Sequence, residues 1–276
     1  MVLRKKERIP NVLTIAGVDP SGGAGLLADV KAMSARGVFA AGVPTALTAQ
    51  NTRGVSGVMP VPPEFVAAEL EAVMSDLDVA AVKIGMLNDA EVIGVVAEAL
   101  ERRRPRWIVL DPVMIAKSGD RLLREDALEA LRRRLLPLAT LVTPNLPEAA
   151  ALLDEPVVAD ESAMPALAGR LAERFGTPWT LVKGGHLEGA ESPDCLRGPE
   201  GGVQWLRAPR TETRNTHGTG CTLSSAIAAE LAKTNDVPAA LEAAKRYLTG
   251  AVAHADELDA GGGHGPTHHF WELWQK

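Results

Sequence analysis

Short runs of β-branched and apolar residues ending in Gly, Asp, Asn or Lys alternate, along nearly the whole chain, with longer stretches rich in Ala, Leu, Glu and Arg. That alternation is what most restricts the fold. Strands separated by helix-length segments build a largely parallel sheet with helices laid on it. Strands are predicted over 12–16, 43–49, 81–84, 107–110, 141–142 and 180–182. Several of these runs are continuously apolar, as expected of strands covered on both faces. Helices are predicted over 24–36, 63–77, 90–103, 125–135, 146–153 and 162–175, and after the last strand over 222–232 and 238–257. No repeat, low-complexity tract or Pro/Ser-rich linker divides the chain, so residues 1–276 are expected to form a single α/β domain.

Composition removes several function classes. With 29 basic against 35 acidic residues the net charge is −6, which opposes nucleic acid as a partner. The arginine runs at 102–104 and 132–134 read as solvated helix ends, where cations complement the helix dipole. The two cysteines, Cys195 and Cys221, lie 26 positions apart without a metal-ligand spacing, which points to a reducing, cytoplasmic compartment. The basic start is followed by an apolar run too short for export, and no run reaches the roughly 18 residues of a membrane span.

In an open α/β sheet, ligands gather beyond the carboxyl ends of the strands. The polar and glycine-rich punctuation falls there. The most informative segment is NTHGTGC, running directly into the helical TLSSAIAAELAK. Backbone N–H groups of Gly218 to Cys221 would converge at the positive end of a helix, forming an anion hole for a phosphoryl group in flight. A plain glycine turn capping a helix would need none of Thr216, His217 and Thr219. Cys221 at that helix start is placed to have its thiol pKa lowered and to act as a base, although a cysteine is as often a small buried hydrophobe. Cys195 has no such setting and reads as structural.

The glycines Gly23 and Gly25 followed by Ala28 satisfy a minimal dinucleotide fingerprint after a strand. The second strand, however, ends in Gln50-Asn51-Thr52 where that fingerprint wants a ribose-binding acid, which argues against a nicotinamide oxidoreductase. No Walker-type phosphate loop is present. What remains is a glycine-rich wall for a small planar ligand, with Asp19 and Asp29 nearby; Asp29 also reads simply as an acid in the first helical turn. Asp111 and Glu148, at the carboxyl edge, suffice to hold Mg2+ beside substrate phosphates, while Asn145 and Glu148 form a capping box on their helix. Lys183, before two glycines, reads as a phosphate contact. The tail brings His264, His268 and His269 close in sequence, but its glycines and aromatic residues suit a docking cover better than a metal site.

The set TIAGVDPSGGAGLLADVKA, TALTAQNTRGV, VKIGML, VLDPVMIAKSG, TPNLPEA, VKGGH, NTHGTGC and GHGPTHH, in that order, resembles the hydroxymethylpyrimidine/phosphomethylpyrimidine kinases of thiamine biosynthesis, in the ribokinase-like superfamily. The resemblance runs from about residue 11 to 269. It implies a ribokinase-like three-layer sandwich and an ATP- and Mg2+-dependent kinase. The implied substrates are a pyrimidine alcohol, 4-amino-5-hydroxymethyl-2-methylpyrimidine, and then its monophosphate. It places Gly17, Asp29, Gln50 and Met86 on the pyrimidine pocket. Asn145, Glu148, Lys183 and the turn from Thr216 through Gly218 and Thr219 to Gly220 fall on the ATP, magnesium and anion-hole region. Cys221 falls where most ribokinase-like sugar kinases carry an aspartate base. The resemblance also implies a homodimer. A pyridoxal kinase of the same branch is the nearest alternative activity.

Overall fold

The structure, a computed structural model, describes residues 8–114 and 125–274. Residues 1–7 of the basic start and the whole IAKSG stretch lie outside these residues. Among them runs one nine-stranded sheet in the order β3-β2-β1-β4-β5-β6-β7-β8-β9. Its strands are β1 (Asn11–Val18), β2 (Phe39–Asn51), β3 (Gly54–Pro60), β4 (Val79–Ile84), β5 (Trp107–Leu110), β6 (Leu141–Val142), β7 (Trp179–Lys183), β8 (Asp194–Arg197) and β9 (Val203–Leu206). β2, β1, β4, β5, β6 and β7 pair in parallel, whereas β3, β8 and β9 add antiparallel edges.

Eight α-helices among the described residues accompany them: α1 (Gly25–Ala35), α2 (Pro63–Asp76), α3 (Ala90–Arg103), α4 (Glu125–Ala130), α5 (Leu146–Leu153), α6 (Met164–Phe175), α7 (Thr219–Thr234) and α8 (Val237–Ala253). The pleat assigns them to two layers. Successive strand residues point to opposite faces, so Leu13, Val82, Leu110, Val142 and Val182 pack with α2 to α6. Their neighbours Val12, Ala81, Val109, Leu141 and Leu181 pack with α1, α7 and α8. This is the three-layer, mostly parallel sandwich expected from the strand–helix alternation.

Three strands were not foreseen. β3 contains Gly54, Gly57 and Pro60 and lies half out in solvent at the sheet edge, where a strand needs no apolar run. β8 and β9 are four-residue strands, too short to carry a periodic pattern, although the Gly198-Pro199-Glu200-Gly201-Gly202 turn between them is a hairpin signal. Elsewhere boundaries move by a few residues. α7 begins at Thr219, three residues before the apolar pattern starts, and α8 stops at Ala253, with a single tight turn at Ala255–Glu257 after it. No helix among the described residues is long and apolar enough to cross a membrane.

The chain leaves β1 in one direction toward β2 and β3 and returns on its other side through β4 to β9. The reversal therefore lies between β1 and β4. Such a switch point opens a crevice beyond the strand ends, and the loops that follow β1, β2, β4, β5, β6 and β7 all border it.

Candidate active site

The carboxyl ends of β5, β6 and β7 supply a cluster of charged groups facing the start of α7. Asp111 follows β5 and is almost wholly buried. Its Oδ1 accepts hydrogen bonds from Lys183 Nζ at 2.8 Å and Thr143 Oγ1 at 3.2 Å, and its Oδ2 accepts from Ser224 Oγ on α7 at 3.3 Å. Burial pushes the Asp111 carboxyl up, but the Lys183 and Lys83 cations outweigh it and hold the group below the usual carboxylate range. Glu148 Oε2 stands 3.9 Å from the same ammonium. Burial, aided by the charge of Asp111, pushes Glu148 up to about 7 in spite of Lys183. Burial alone would lower Lys183; the two carboxylates reverse that and raise it. Asn145 and Glu148 form the capping box of α5, each side chain accepting from the other's backbone N–H at 2.8 Å.

The turn before α7 is shaped for close approach. Gly218 has φ +76°, and a Cβ there would lie 1.8 Å from Gly23 O, so no side chain fits. The first helical bond of the turn runs from Thr222 N–H to Gly218 O at 2.8 Å. The N–H groups of Gly220 and Cys221 precede it and project from the helix end. A Cβ on Gly220 would lie 3.4 Å from Lys183 Nζ and 3.5 Å from Asp111 Oδ2, which puts the positive helix end directly against the Lys183–Asp111 pair. Thr216 and Thr219 shape the turn itself, with Thr219 N–H donating to Thr216 O at 3.4 Å. Beside it opens a cleft of about 660 Å3, lined by residues 212–215 on one side and by Asp256 and Gly261 among others on the opposite side.

On the other flank, the Met86 side chain seats on Gly17, where a Cβ would come 2.4 Å from the Met86 methyl. Thr45 Oγ1 fixes the Met86 carbonyl at 2.8 Å. The Gln50 amide accepts from Thr48 Oγ1 at 3.1 Å and lies 3.4 Å from His217 Nε2. That imidazole donates to Asp19 Oδ2 at 2.9 Å. Asp19 in turn accepts from Ser21 N–H and Oγ and from Ala24 N–H, so it ties the loop after β1 to the turn before α7. Burial pushes Asp19 up, yet the hydrogen bonds from His217 and Ser21 prevail and lower it.

Two expectations need correction. Asp29 does not face a pocket: it has no exposed surface, and its carboxylate is saturated by Lys83 Nζ at 2.7 and 2.8 Å, Thr14 Oγ1 at 2.6 Å and Ser225 Oγ at 2.8 Å. The thiol of Cys221 is likewise not lowered. Burial, with the charges of Asp29 and Asp111, pushes it up to about 11 against the Lys83 cation and a hydrogen bond from the Gly25 N–H. Cys195, read from the sequence as structural and in a loop, is buried in strand β8. The tail histidines part company in space. His264 Nδ1 is 3.3 Å from Arg214 O, His268 lies edge-on to Trp274, and His269 Nε2 is 3.2 Å from Thr222 Oγ1 with its pKa pushed down to about 3 by burial.

The sequence reading noted His217 only as a polar residue of the turn, without a role, and did not single out Lys83, Thr143 or Ser224. Lys83 carried a signal, since it breaks an otherwise apolar strand; the others are ordinary polar residues whose role depends on what lies opposite.

Residues 19–268 match the family model described as phosphomethylpyrimidine kinase. A hydroxymethylpyrimidine/phosphomethylpyrimidine kinase of Salmonella typhimurium is 52% identical over 264 residues, covering 96% of this chain and 98% of the relative. Among solved structures, a phosphomethylpyrimidine kinase of Clostridium difficile superposes with TM-score 0.77 at 39% identity, covering 87% of this chain and 98% of that one. A Staphylococcus aureus pyridoxal kinase in complex with ADP superposes with TM-score 0.88 at 29% identity, covering 97% and 96%.

Proposed function

The chain belongs to the phosphomethylpyrimidine kinase family, and from that premise we propose that it transfers the γ-phosphoryl group of ATP first to 4-amino-5-hydroxymethyl-2-methylpyrimidine and then to the resulting monophosphate, in thiamine biosynthesis. The observation that carries this reading is the contact between the start of α7 and the Lys183–Asp111 pair. It places converging N–H donors, one cation and two carboxylates around a single point at the sheet's switch crevice.

A phosphoryl group in transfer carries its charge on the equatorial oxygens, and fixed donors lower the barrier because they need no reorganisation. The Gly220 and Cys221 N–H groups and Lys183 are those donors. The cleft beside residues 212–215 takes the nucleotide, so that its terminal phosphate meets the turn. Asp111 and Glu148 offer hard carboxylate oxygens, a donor set that fits Mg2+ with few protein ligands. Bound there, Mg2+ would neutralise charge on the phosphates. Asn145 orients Glu148 through the capping box, and Thr216 and Thr219 hold the turn.

In the first transfer the hydroxymethyl oxygen forms a bond to the γ-phosphorus, the bond to the β-bridging oxygen breaks, and the hydroxyl proton passes to the Cys221 thiolate. At a thiol pushed up to about 11, the thiolate is a minor species at neutrality, which makes this step dependent on alkaline pH. In the second transfer the nucleophile is already an anionic phosphate oxygen and needs no base. Gly17, Met86 and Gln50 form the wall for the pyrimidine ring, with Met86 packing on its face and Gln50 pairing with its polar edge.

The reading is tested by incubating the protein with ATP, Mg2+ and the pyrimidine alcohol and following products by mass spectrometry. Mono- and then diphosphate are expected; absence of both refutes it. Pyridoxal is the competing alcohol, and the higher identity to the pyrimidine kinases favours the pyrimidine. The whole chain acting as one kinase domain, and as a homodimer, are part of the same proposal.

A further inference from the structure

The segment from Gly261 to His269 supplies no donor, cation or base to the transfer, although Gly261 and Gly265 line the cleft, and it crosses three loops of the site in succession. At its start it lies on the tip of the β2–β3 hairpin. Gly263 N–H donates to Thr52 Oγ1 at 3.1 Å and His264 N–H to Thr52 O at 2.8 Å. The contact is backbone against backbone, since a Cβ on Gly263 would lie 2.1 Å from Thr52 O. Two residues after Gly263, the segment reaches the turn before α7. Gly265 N–H donates to Asn215 Oδ1 at 2.9 Å, His217 N–H to Gly265 O at 3.0 Å, and Thr267 N–H to His217 O at 3.4 Å. Pro266 closes on Gly23, in the loop after β1.

Its far end is anchored on α8. Tyr247 Oη donates to His269 O at 2.6 Å, His268 N–H donates to Ala251 O at 2.8 Å, and the Trp271 ring occupies the notch at Gly250, where a Cβ would come within 2.1 Å. A fixed anchor at one end and close contacts along the rest make this segment a tie. It has something to hold. β3 is the sheet edge, so no outer strand restrains the hairpin that ends beside Gln50; the direct approach between the two flanks is the 3.4 Å separation of Gln50 and His217.

We propose that residues 261–269 form a strap that fixes the hairpin tip, and with it Gln50, relative to the anion-hole turn, which makes Thr52, Gly263 and Gly265 positioning residues for phosphoryl transfer. The kinetic consequence rests on the proposed kinase reading; the mechanical link does not. A misplacement on the order of 1 Å between reacting groups can cost about a hundredfold in rate, so loosening either end of the strap reaches the chemistry without touching a group that performs it.

The test uses the full chain and three variants. Gly263→Ala forces strap and hairpin apart. Thr52→Val removes only the hydroxyl acceptor and keeps the side-chain shape, so it decides the matter if the glycine variant fails to fold. Gly202→Ala, at a position with nothing within 4 Å, is the control. Hydrogen exchange followed amide by amide is expected to show His264 and the more distant His217 both exchanging faster by about tenfold or more in the strap variants, because a lesion at the hairpin end loosens the turn end. The same variants should raise KM for the pyrimidine alcohol and lower kcat together, by about tenfold, while the control keeps the original values. Acceleration of His264 alone, or original kinetics in a variant whose two amides are loosened, overturns the strap. If the unaltered protein phosphorylates no pyrimidine alcohol, the kinase reading fails and the exchange experiment alone decides the strap.

Discussion

At Cys221 position and ionisation pull in opposite directions. A helix start favours a thiolate, but here the half-buried thiol stands near two carboxylates and is only partly compensated by Lys83, and it rises to about 11. A base in that state leaves a mark on the pH profile. If Glu148, pushed up to about 7, holds Mg2+ as proposed, it must first ionise, and kcat/KM for both transfers should climb through about 7. Only the first should go on climbing toward about 11, and Cys221→Ala should abolish that second rise while sparing the monophosphate step. Equal profiles for the two steps would remove Cys221 as the base. Glu148 also marks stability. Its carboxyl ionises near 4.5 when unfolded and near 7 when folded, so its contribution to stability is lost as pH rises between those values. Asp29 carries a different expectation. Breaking its wholly buried pair with Lys83 leaves an uncompensated charge in the core, and Asp29→Ala should cost about 3–5 kcal/mol in urea unfolding. Replacing both partners by apolar residues of similar size should recover most of that loss; failure to recover would show that Asp29 does more than pair.

Elements differ in how visibly they announce themselves. The buried parallel strands and the two-layer helices are written in long apolar patterns, because each must lose water on a whole face. The edge hairpins are not, because β3 stays largely wet and β8 and β9 are only four residues long. The turn before α7 is an intermediate case. Its glycines raise the expectation of an anion hole, but do not tell that Gly218 is pressed on Gly23 of a loop 195 residues earlier, as the 1.8 Å approach of a Cβ there shows. Gly218→Ala should therefore both strain a left-handed residue, at about 1–2 kcal/mol, and push the helix end away from Lys183. Loss of a preorganised donor typically costs about 100- to 1,000-fold in kcat; a Gly218→Ala enzyme with near-original kcat would show that the turn is not an anion hole.

For the molecule as a whole, the exposed apolar residues Leu47, Val58 and Met59 gather on the β2–β3 hairpin, at the open edge of the sheet. A homodimer formed through that edge would cover them, and light scattering should give twice the chain mass, shifted toward the monomer by Met59→Lys. A monomeric mass for the unaltered protein would refute the dimer. What the sequence determined by itself was the layer architecture, and the placing of Gly17, Gln50, Met86, Asp111, Asn145, Glu148, Lys183 and Cys221 at strand ends or helix starts, since these follow from local periodicity and turn chemistry. What only the tertiary structure decided was partnership. Whether Asp29 meets a ligand or Lys83, whether the Cys221 thiol falls or rises, and whether the glycines of the tail lie against Thr52 and Asn215 all depend on groups distant in the chain. Charge interactions and steric exclusion act through space over a few ångströms, and local pattern carries no record of which distant residues the fold will bring that close.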